Sequence, residues 1–185
     1  MKIIACRAED LGLLDAHLPS ASAESHHAAR FARQEAGEST YLLAWRDGLP
    51  VGHGEVRWHG CAAPEVRAAV ARRIAPEAVT SGGPSVSGPT PASGCPEING
   101  LAVAEHLRSQ GIGTALIHAA EDLARARRLP AIGLGVDETN PRAAALYARL
   151  GYEALVPYVD RWSYVDRGGL RVECADACTF LVKRL

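Results

Sequence analysis

The chain contains very little lysine and almost no net charge. Of its 20 basic residues only Lys2 and Lys183 are lysines, and the formal charge of the 185 residues is −1. The arginines are scattered along the sequence, so no concentrated basic field is predicted that would hold nucleic acid. The composition therefore predicts no nucleic-acid partner, and the length fits one medium-sized domain with its own core.

Long apolar runs are also missing. No stretch of the sequence approaches the roughly 20 apolar residues that a helix needs to span a bilayer. The N-terminal stretch MKIIACRAED reaches charged residues at Arg7 and Glu9, before the apolar core of a signal peptide could form. These absences predict a cytoplasmic protein without a membrane partner.

The five cysteines form no pattern typical of a disulfide framework. Their number is odd, and Cys174 and Cys178 on one strand would lie roughly 13 Å apart, beyond the reach of a disulfide. The adjacent residues His26 and His27 raise the question of a metal site, but no group of cysteines and acidic residues accompanies them in the sequence. We therefore expect neutral core or surface histidines and no metal.

Strands and helices alternate in the first part of the chain. The pattern of apolar residues predicts a strand, two helices and a β-hairpin, in the order 2–6, 8–18, 22–37 and 40–60. The hairpin prediction rests on Asp47-Gly48, a dipeptide typical of tight turns, which stands between two β-rich runs.

Residues 61–96 interrupt this alternation. A short surface helix is predicted over 65–74, and the segment at 80–96 is rich in Gly, Pro and Ser, with almost nothing to bury. We interpret 61–96 as a flexible insertion within a single domain spanning 1–185, because neither side of it has every element needed to close a sheet. Residues 80–95 are expected to exchange their amide hydrogens rapidly.

The alternation is clearer after the insertion. The sequence predicts strand, helix, strand and helix, and then two β segments, in the order 97–103, 111–128, 131–136, 140–151, 152–159 and 178–185. A strand–helix–strand unit predicts that the first two of these strands are parallel. Together the elements predict an α/β domain with a mixed sheet of six to seven strands, flanked by helices on both faces.

Gly111 and Gly113 stand where a helix is predicted to begin, although glycine costs about 1 kcal/mol against alanine inside a helix. A helix start carries unpaired backbone N–H groups, and glycines there let the backbone approach an anion closely. A P-loop requires a Gly-Lys pair, which the sequence lacks, and the dinucleotide fingerprint requires a third glycine where this chain has Leu116. The run RSQGIG at 108–113 instead fits the pattern Arg/Gln-x-x-Gly-x-Gly/Ala after a strand that ends in valine.

That pattern resembles the pyrophosphate loop of the GCN5-related N-acetyltransferases, the GNAT superfamily. The strand EINGLAV at 97–103 is similar to the central strand of that family. The run NPRAAALYARLGYE at 140–153 is similar to its second cofactor motif, Asn-x-x-Ala-x-x-Leu-Tyr-x-x-x-Gly-Phe/Tyr. The three stretches cover 97–153 in the order and spacing of the family, whereas the N-terminal half matches only in its order of elements. The resemblance implies a single N-acetyltransferase domain that uses acetyl-CoA as co-substrate.

The resemblance also implies which residues hold acetyl-CoA. In the family the central strand hydrogen-bonds the pantetheine arm as an added strand would, which implies the backbone groups of Leu101, Ala102 and Val103. Amides of the glycine loop hold the pyrophosphate, and the matching residues here are Arg108, Ser109, Gln110, Gly111, Ile112, Gly113 and Thr114. Asn140 is implied near the cofactor arm, and it is also a typical helix N-cap.

Tyr147 is the residue that the resemblance implies as general acid. It lies seven residues after Asn140, close to two helical turns, so both side chains face the same way. The family places such a tyrosine near the thioester sulfur, where a phenol can protonate the thiolate, with a pKa of about 8.5, as it leaves. The alternative is a tyrosine that serves only packing in the core.

Two glutamates are candidates for the base that takes a proton from the amine. Glu97 stands where the histone-acetylating members carry their catalytic glutamate, and simple alternation places it on the same face as Asn99 and Leu101. Glu55, on the hairpin, is the second candidate. For both, the alternative is a charge at the surface of a strand edge.

Two positions depart from the patterns of particular family members. Ribosomal-protein N-terminal acetyltransferases of bacteria carry a glutamate twelve residues before the tyrosine, where this chain has Gly135. Aminoglycoside-modifying members often carry an acid where this chain has Asn99. Neither substrate class is therefore favoured by the sequence.

The sequence thus predicts an acetyl-CoA-dependent enzyme that moves an acetyl group to a primary amine of a small molecule or peptide. Direct attack is preferred, because no cysteine stands on a matched motif or beside an activating base. The alternative is a catalytically inactive acyl-CoA-binding sensor or interaction domain on the same scaffold. Segments 19–37 and 59–96 are expected to wall the acceptor pocket, and a homodimer is compatible with this interpretation.

Overall fold

The computed structural model describes residues 1–20, 22–74 and 95–185, and seven strands in these ranges form one mixed sheet. Numbered β1 to β7, the strands are Lys2–Ala5, Ser39–Arg46, Leu49–Arg57, Glu97–Val103, Ala131–Asp137, Glu153–Val165 and Arg171–Arg184. Their order across the sheet is β1-β2-β3-β4-β5-β7-β6. Neighbouring strands are antiparallel except β4 and β5, whose predicted parallel pairing is confirmed.

Five α-helices in the described ranges cover both faces of this sheet. Numbered α1 to α5, they are Leu11–His17, His26–Glu35, Pro64–Ile74, Ile112–Ala126 and Pro141–Arg149. The helices α4 and α5 share one core cluster with Ile132 of β5, whereas α3 shares another with the adjacent Ala131. Because successive side chains of a strand point to opposite faces, α3 lies opposite α4 and α5. The helices α1 and α2 lie on the same side as α3, around Leu43 of β2.

The predicted α/β architecture, with a mixed sheet and helices on both faces, is confirmed, and shifts occur only at element ends. The second helix begins at His26 rather than at 22, because the Ser25 hydroxyl accepts a hydrogen bond from the Ala28 amide and caps the helix there. The last two strands are longer than predicted, since β6 and β7 continue to pair with each other beyond the last residue that pairs with β5. None of the described helices combines the length and the apolarity that a membrane span requires.

The start of the predicted insertion is packed against the domain. The helix α3 buries Val66, Ala69 and Val70 and contacts β6, so it is more buried than a surface helix. Residues 75–94 lie outside the described residues, and with them nearly all of the segment 80–95 that is predicted to exchange rapidly. At the far end of the insertion, Cys95 and Pro96 are buried beside β4.

A β-bulge in β4 changes which side chains share a face. His53 of β3 pairs with Ala102, but Glu55 pairs with Asn99, so β4 has one residue more than β3 between these pairs. Gly100 lies at this point with φ +59°, a conformation that favours glycine. Leu101 therefore packs with the core cluster of α4 and α5. Asn99 stays on the opposite face of the sheet, which α1, α2 and α3 cover and which we call the α2 face. The expectation that Glu97, Asn99 and Leu101 share one face is wrong for Leu101, because simple alternation ignores the bulge.

The parallel strands β4 and β5 are paired only at their first residues. Within the described chain the ladder joins Glu97 with Gly133 and Ile98 with Leu134, and no later residues of the two strands pair. The edge of β4 that follows is left without a partner strand. The sheet therefore opens between β4 and β5, and this opening positions the candidate site.

Gly133→Ala is expected to destabilise the fold by about 1–3 kcal/mol. Gly133 pairs with Glu97 just before β4 and β5 separate, and the added methyl group would overpack the sheet there. A Cβ there would overlap the buried Phe180 ring and would lie 3.0 Å from the Leu181 carbonyl oxygen. The measurement is the free energy of unfolding in urea. The control is Gly12→Ala in α1, where the new Cβ would meet no other described part of the chain within 4 Å outside its own helix. It is expected to stabilise the protein by about 0.5–1 kcal/mol. Equal stability of the two variants would contradict the packing described here.

Candidate functional site

A cleft opens where β4 and β5 diverge, and it extends over the start of α4 and along α5. Its volume is about 660 Å³. We call it the β4–β5 cleft, and its lining is Leu101, Ala102, Val103, Leu107, Arg108, Ser109, Gly111, Ile112, Gly113, Thr114, Asn140, Arg142, Ala143, Leu146, Tyr147 and Arg149. The structure thus brings together the predicted acid Tyr147 and all the predicted cofactor-binding residues except Gln110. The Gln110 side chain turns away, and its Oε1 accepts a hydrogen bond from Arg46 Nη1 at 2.6 Å.

The start of α4 presents backbone N–H groups to this cleft. Gly111 is the N-cap with φ +82°, and no side chain in the described chain caps the helix start. Ser109 also has a positive φ, +64°. The first amides of the helix are therefore left for an external acceptor, at the positive end of the helix dipole. This is a geometry that binds phosphate groups.

The residues of α5 form the opposite wall of the cleft. Asn140 caps the helix, since its Oδ1 accepts a hydrogen bond from the Ala143 amide at 3.0 Å. Tyr147 is buried, and among the described residues its hydroxyl has no hydrogen-bond partner. Burial raises the pKa of Tyr147, so the phenol keeps its proton at neutral pH. A protonated, unpaired hydroxyl in a cleft can donate a proton to a bound group.

Three arginines at the cleft, Arg108, Arg142 and Arg149, lie around the glycine loop and α5. Arg142 Nη2 donates a hydrogen bond to the Ser109 hydroxyl, so it links α5 to the loop. Arg142 and Arg149 were not predicted from the sequence, because both stand at unspecified positions of the cofactor motif. The signal available was their place on the same short helix as Asn140 and Tyr147.

Glu97 lies away from the β4–β5 cleft. It is buried on the α2 face of the sheet, where Asn99 hydrogen-bonds it and Arg57 Nη1 lies 4.0 Å from its Oε2. Burial raises the pKa of Glu97, and the charge of Arg57 and the bond with Asn99 only partly oppose this. The carboxyl group is therefore easier to protonate than an ordinary glutamate.

Glu55 is bound by arginines and is a poor candidate for a base. Arg33 Nε and Nη2 both donate to its carboxylate at 2.8 Å, and Arg57 Nε lies at 3.4 Å. Burial alone would raise the pKa of Glu55, but the hydrogen bonds from Arg33 and the charges of Arg33 and Arg57 hold it below its usual value. A carboxylate so strongly stabilised as an anion accepts a proton poorly.

Gly135 has no room for the glutamate that stands twelve residues before the tyrosine in ribosomal-protein acetyltransferases. A Cβ at this position would overlap the hydroxyl of Tyr158, which lies on the α2 face of the sheet. The packing around Gly135 therefore agrees with the absence of a glutamate at this position of the sequence.

The cysteines take no part in the cleft. All five are free and lie within the described ranges, and none belongs to the cleft lining. Burial raises the pKa of Cys61 to about 11 and that of Cys95 to about 12, so these thiols are weak nucleophiles at neutral pH.

A second pocket, of about 590 Å³, lies on the other side of the bulged strand. We call it the α2 pocket, and its lining is His17, Leu18, Pro19, His26, Arg30, His53, Gly100, Leu101, Ala102, Val103, Ala104, Glu105 and His106. It shares Leu101, Ala102 and Val103 with the β4–β5 cleft, so the two spaces adjoin. Of the two segments expected to wall an acceptor pocket, 19–37 contributes to this lining, and the described residues of 59–96 do not.

Three histidines cluster at this pocket. The ring nitrogens of His26, His27 and His53 that could bind a metal all lie within 4.8 Å of one another. His27 Nε2 donates to the Leu18 carbonyl oxygen, its Nδ1 accepts from the Tyr41 hydroxyl, and His53 bonds the Gly100 carbonyl oxygen. The guanidinium group of Arg30 lies beside them. These existing bonds and the positive charge of Arg30 oppose the binding of a metal cation.

Comparisons with known proteins relate this chain to one family and to solved structures with the same fold. The family model described as Acetyltransferase (GNAT) family matches residues 11–152. No curated protein matches the chain in sequence. A solved ribosomal-protein-alanine N-acetyltransferase from Brucella melitensis is 20% identical, with full coverage of both chains and a TM-score of 0.64.

Two further solved structures share the fold. A chimeric spermidine N-acetyltransferase from Vibrio cholerae is 14% identical, with a TM-score of 0.64 over 100% of this chain and 96% of that one. An N-acetyltransferase from Thermoplasma acidophilum, in complex with coenzyme A, is 14% identical, with a TM-score of 0.59 over 100% and 98%. At these identities the structures establish the fold, and the acceptor of each is a property of that protein alone.

Proposed function

Since this chain belongs to the GNAT acetyltransferase family, we propose that it transfers an acetyl group from acetyl-CoA to a primary amine of a small molecule or peptide. The observation that carries this proposal is the unpaired hydroxyl of Tyr147. It lies in the same cleft as the uncapped amides of α4 and the unpartnered edge of β4. A site that only bound an acyl-CoA would need the amides and the strand edge but no proton donor.

The residues of the cleft fit acetyl-CoA in two ways. The open edge of β4 at Leu101–Val103 offers backbone groups to the pantetheine amides, in the place of a missing neighbour strand. The amides of residues 111–114 and the arginines of the cleft offer donors and positive charge to the phosphates. The thioester supplies the activated acetyl group when it is bound there.

Tyr147 acts as the general acid in this proposal. The amine nitrogen forms a bond to the acetyl carbon, the carbon–sulfur bond breaks, and the departing thiolate takes the proton of the Tyr147 hydroxyl. The phenol is protonated at neutral pH, and burial raises its pKa further. The hydroxyl is therefore present as a donor when the carbon–sulfur bond breaks and negative charge develops on the sulfur.

Glu97 is the base that we propose for the proton released by the amine. It lies on the α2 face of β4, the strand whose residues 101–103 line both pockets. Asn99, which hydrogen-bonds Glu97, stands between it and the bulge at Gly100. Because it lines neither pocket among the described residues, it would act through water. Glu55 is disfavoured by its arginine partners.

The function is tested by incubating the protein with acetyl-CoA and a panel of primary amines. Release of free thiol and the mass of the acetylated amine are followed together. Acetylation of at least one amine, with one thiol released per acetyl group, is the expected result. Tight binding of acetyl-CoA without acetylation of any amine would favour the acyl-CoA-binding sensor instead.

Glu97→Gln is expected to remove the acidic limb of the pH profile of kcat/KM. The base works only as a carboxylate, and its raised pKa means that the wild-type rate falls, as pH is lowered, above the usual range of a glutamate. The loss at neutral pH is expected to be about 10²-fold, the low end for general acid–base catalysis. The control is Glu55→Gln, which should reduce stability and keep the acidic limb. An unchanged limb in Glu97→Gln would remove this residue from the mechanism.

A further inference from the structure

The α2 pocket contains a buried arginine whose charge is poorly matched. Arg30 belongs to α2, and only 15% of its side chain is exposed. Its acidic neighbour, Glu55, lies 3.7 Å away from Arg30 Nε and is already held by Arg33 in a two-point hydrogen bond at 2.8 Å. The negative charge of Glu55 is thus shared between Arg33, Arg57 and Arg30, and Arg33 makes the shortest contacts with it.

The neutral neighbours of Arg30 do not use all of its donors. Its guanidinium group bonds the Tyr41 hydroxyl, and its Nη1 lies 3.5 Å from His53 Nδ1, the long limit of a hydrogen bond. It also lies against the backbone of Gly100, where a Cβ would overlap it. Since a guanidinium carries five N–H donors, several remain for a group in the pocket.

The rest of the pocket lining adds almost no negative charge. Glu105 is its acidic residue; its side chain is 89% exposed and lies 3.9 Å from Arg108. Burial lowers the pKa of His26 to about 4 and that of His53 to about 2, so both are neutral at neutral pH. His26 Nε2 is buried and has no hydrogen-bond partner among the described residues.

From these contacts we propose that the acceptor is a zwitterionic amine, whose carboxylate or phosphate group binds Arg30 while its amino group faces the edge of β4. This inference rests on the proposed function, because it identifies the acceptor class of the same reaction. His26, whose Nε2 is buried without a partner among the described residues, belongs to the same lining. In the described lining a polycationic acceptor such as spermidine would meet one acidic side chain, the exposed Glu105, which lies beside Arg108.

Gly100 connects this anion site to the reaction. The bulge at Gly100 brings the β4 backbone against Arg30, and the next three residues line both the α2 pocket and the β4–β5 cleft. An anionic group at Arg30 and a thioester along the β4 edge therefore lie on two sides of the same short stretch of backbone. A compact molecule that carries both an anion and an amine fits this arrangement.

The test compares acceptors that differ only in the anionic group. The probes are L-amino acids against the matching amino acid amides, phosphoethanolamine against ethanolamine, and spermidine. For the wild type, kcat/KM is expected to favour the anionic member of a pair by about 10- to 100-fold, the value of a charge-assisted hydrogen bond. Whether the carboxylate or the phosphate pair shows the preference identifies the anion.

Arg30→Gln is expected to abolish this preference mainly through KM and to leave acetyl-CoA affinity unchanged, while Arg30→Lys keeps part of it. The control is Arg7→Gln, an arginine whose side chain is 66% exposed and which lies outside the pocket lining. A wild type that acetylates amides or spermidine as well as the anionic amines would overturn the proposal, whether or not Arg30→Gln folds. So would a preference that survives in folded Arg30→Gln.

A binding measurement separates this inference from the proposed function. N-acetylated amino acids and their amides are titrated by calorimetry into the protein saturated with coenzyme A. Binding of the acids that depends on Arg30, without any acetylation, would support the anion site and contradict the enzyme. Acetylation of amines without any Arg30-dependent binding of the acids would support the enzyme and contradict the anion site.

Discussion

Tyr147→Phe is expected to lower kcat on a verified acceptor by about 10²- to 10⁴-fold, the usual contribution of general acid catalysis. The substitution removes only the hydroxyl, which has no hydrogen-bond partner among the described residues, so little stability should be lost. The ring remains and still packs against Tyr152, with 6.2 Å between the ring centroids. Dissociation of acetyl-CoA should therefore be almost unchanged, and the measurement is kcat together with acetyl-CoA affinity.

Tyr152→Phe is the matched control for this experiment. Tyr152 is also buried, but its hydroxyl donates to Glu121 Oε1 at 3.2 Å and it lies outside the cleft lining. Its loss should reduce the free energy of unfolding by about 1.5–3 kcal/mol, the value of a hydrogen bond to a charged group, and affect kcat far less. If Tyr147→Phe behaved like Tyr152→Phe, the tyrosine of α5 would be a packing residue and not an acid.

Gly113→Glu is expected to abolish measurable binding of acetyl-CoA in a domain that remains folded. Gly113 lies in the first turn of α4 and lines the β4–β5 cleft. A glutamate side chain there fills the space in front of the uncapped amides and places a negative charge where phosphates are proposed to bind. The measurement is calorimetric titration with acetyl-CoA, accompanied by thermal unfolding to verify the fold.

Gly113→Ala controls for the loss of glycine itself. Outside its own helix, a Cβ at this position would lie 3.8 Å from Val103 Cγ2, an ordinary contact distance, with no closer atom in the described part of the chain. Alanine should therefore bind acetyl-CoA nearly as well as the wild type does, and it should be slightly more stable because it favours the helix. Undiminished binding by Gly113→Glu would show that the phosphates lie elsewhere.

The β4–β5 cleft could be predicted from the sequence because its parts are local. The strand at 97–103, the glycine loop and the helix at 140–151 each carry a short pattern, and the chain order of strand, helix and strand brings them to one edge. Backbone amides make up much of the cleft, so the identity of most side chains matters less than the turn that exposes them. Gln110 is the exception, because its contact with Arg46 joins residues far apart in sequence.

The α2 pocket could not be predicted in the same way. It joins His26 and Arg30 of one helix to His53 of a hairpin strand and to Gly100, and no short pattern connects these positions. Its electrostatics depend on how Glu55 is shared between Arg33, Arg57 and Arg30, which is a property of packing. The one local signal was Gly100 inside a strand pattern, which is typical of a β-bulge or of a close backbone approach.

The bulge at Gly100 has a consequence for how this domain can vary by mutation or design. Many side chains of β4 can change without disturbing the cleft, because the strand contributes mainly its backbone there. A change in its length acts differently. Deleting Gly100 would leave one residue opposite Gly54, as in a regular ladder, so Asn99 and Ala102 would keep their partners and the residues on both sides would keep their faces. What would be lost is the bulge that brings the β4 backbone against Arg30. In a library of variants, deletion of Gly100 should therefore preserve the fold and alter the α2 pocket.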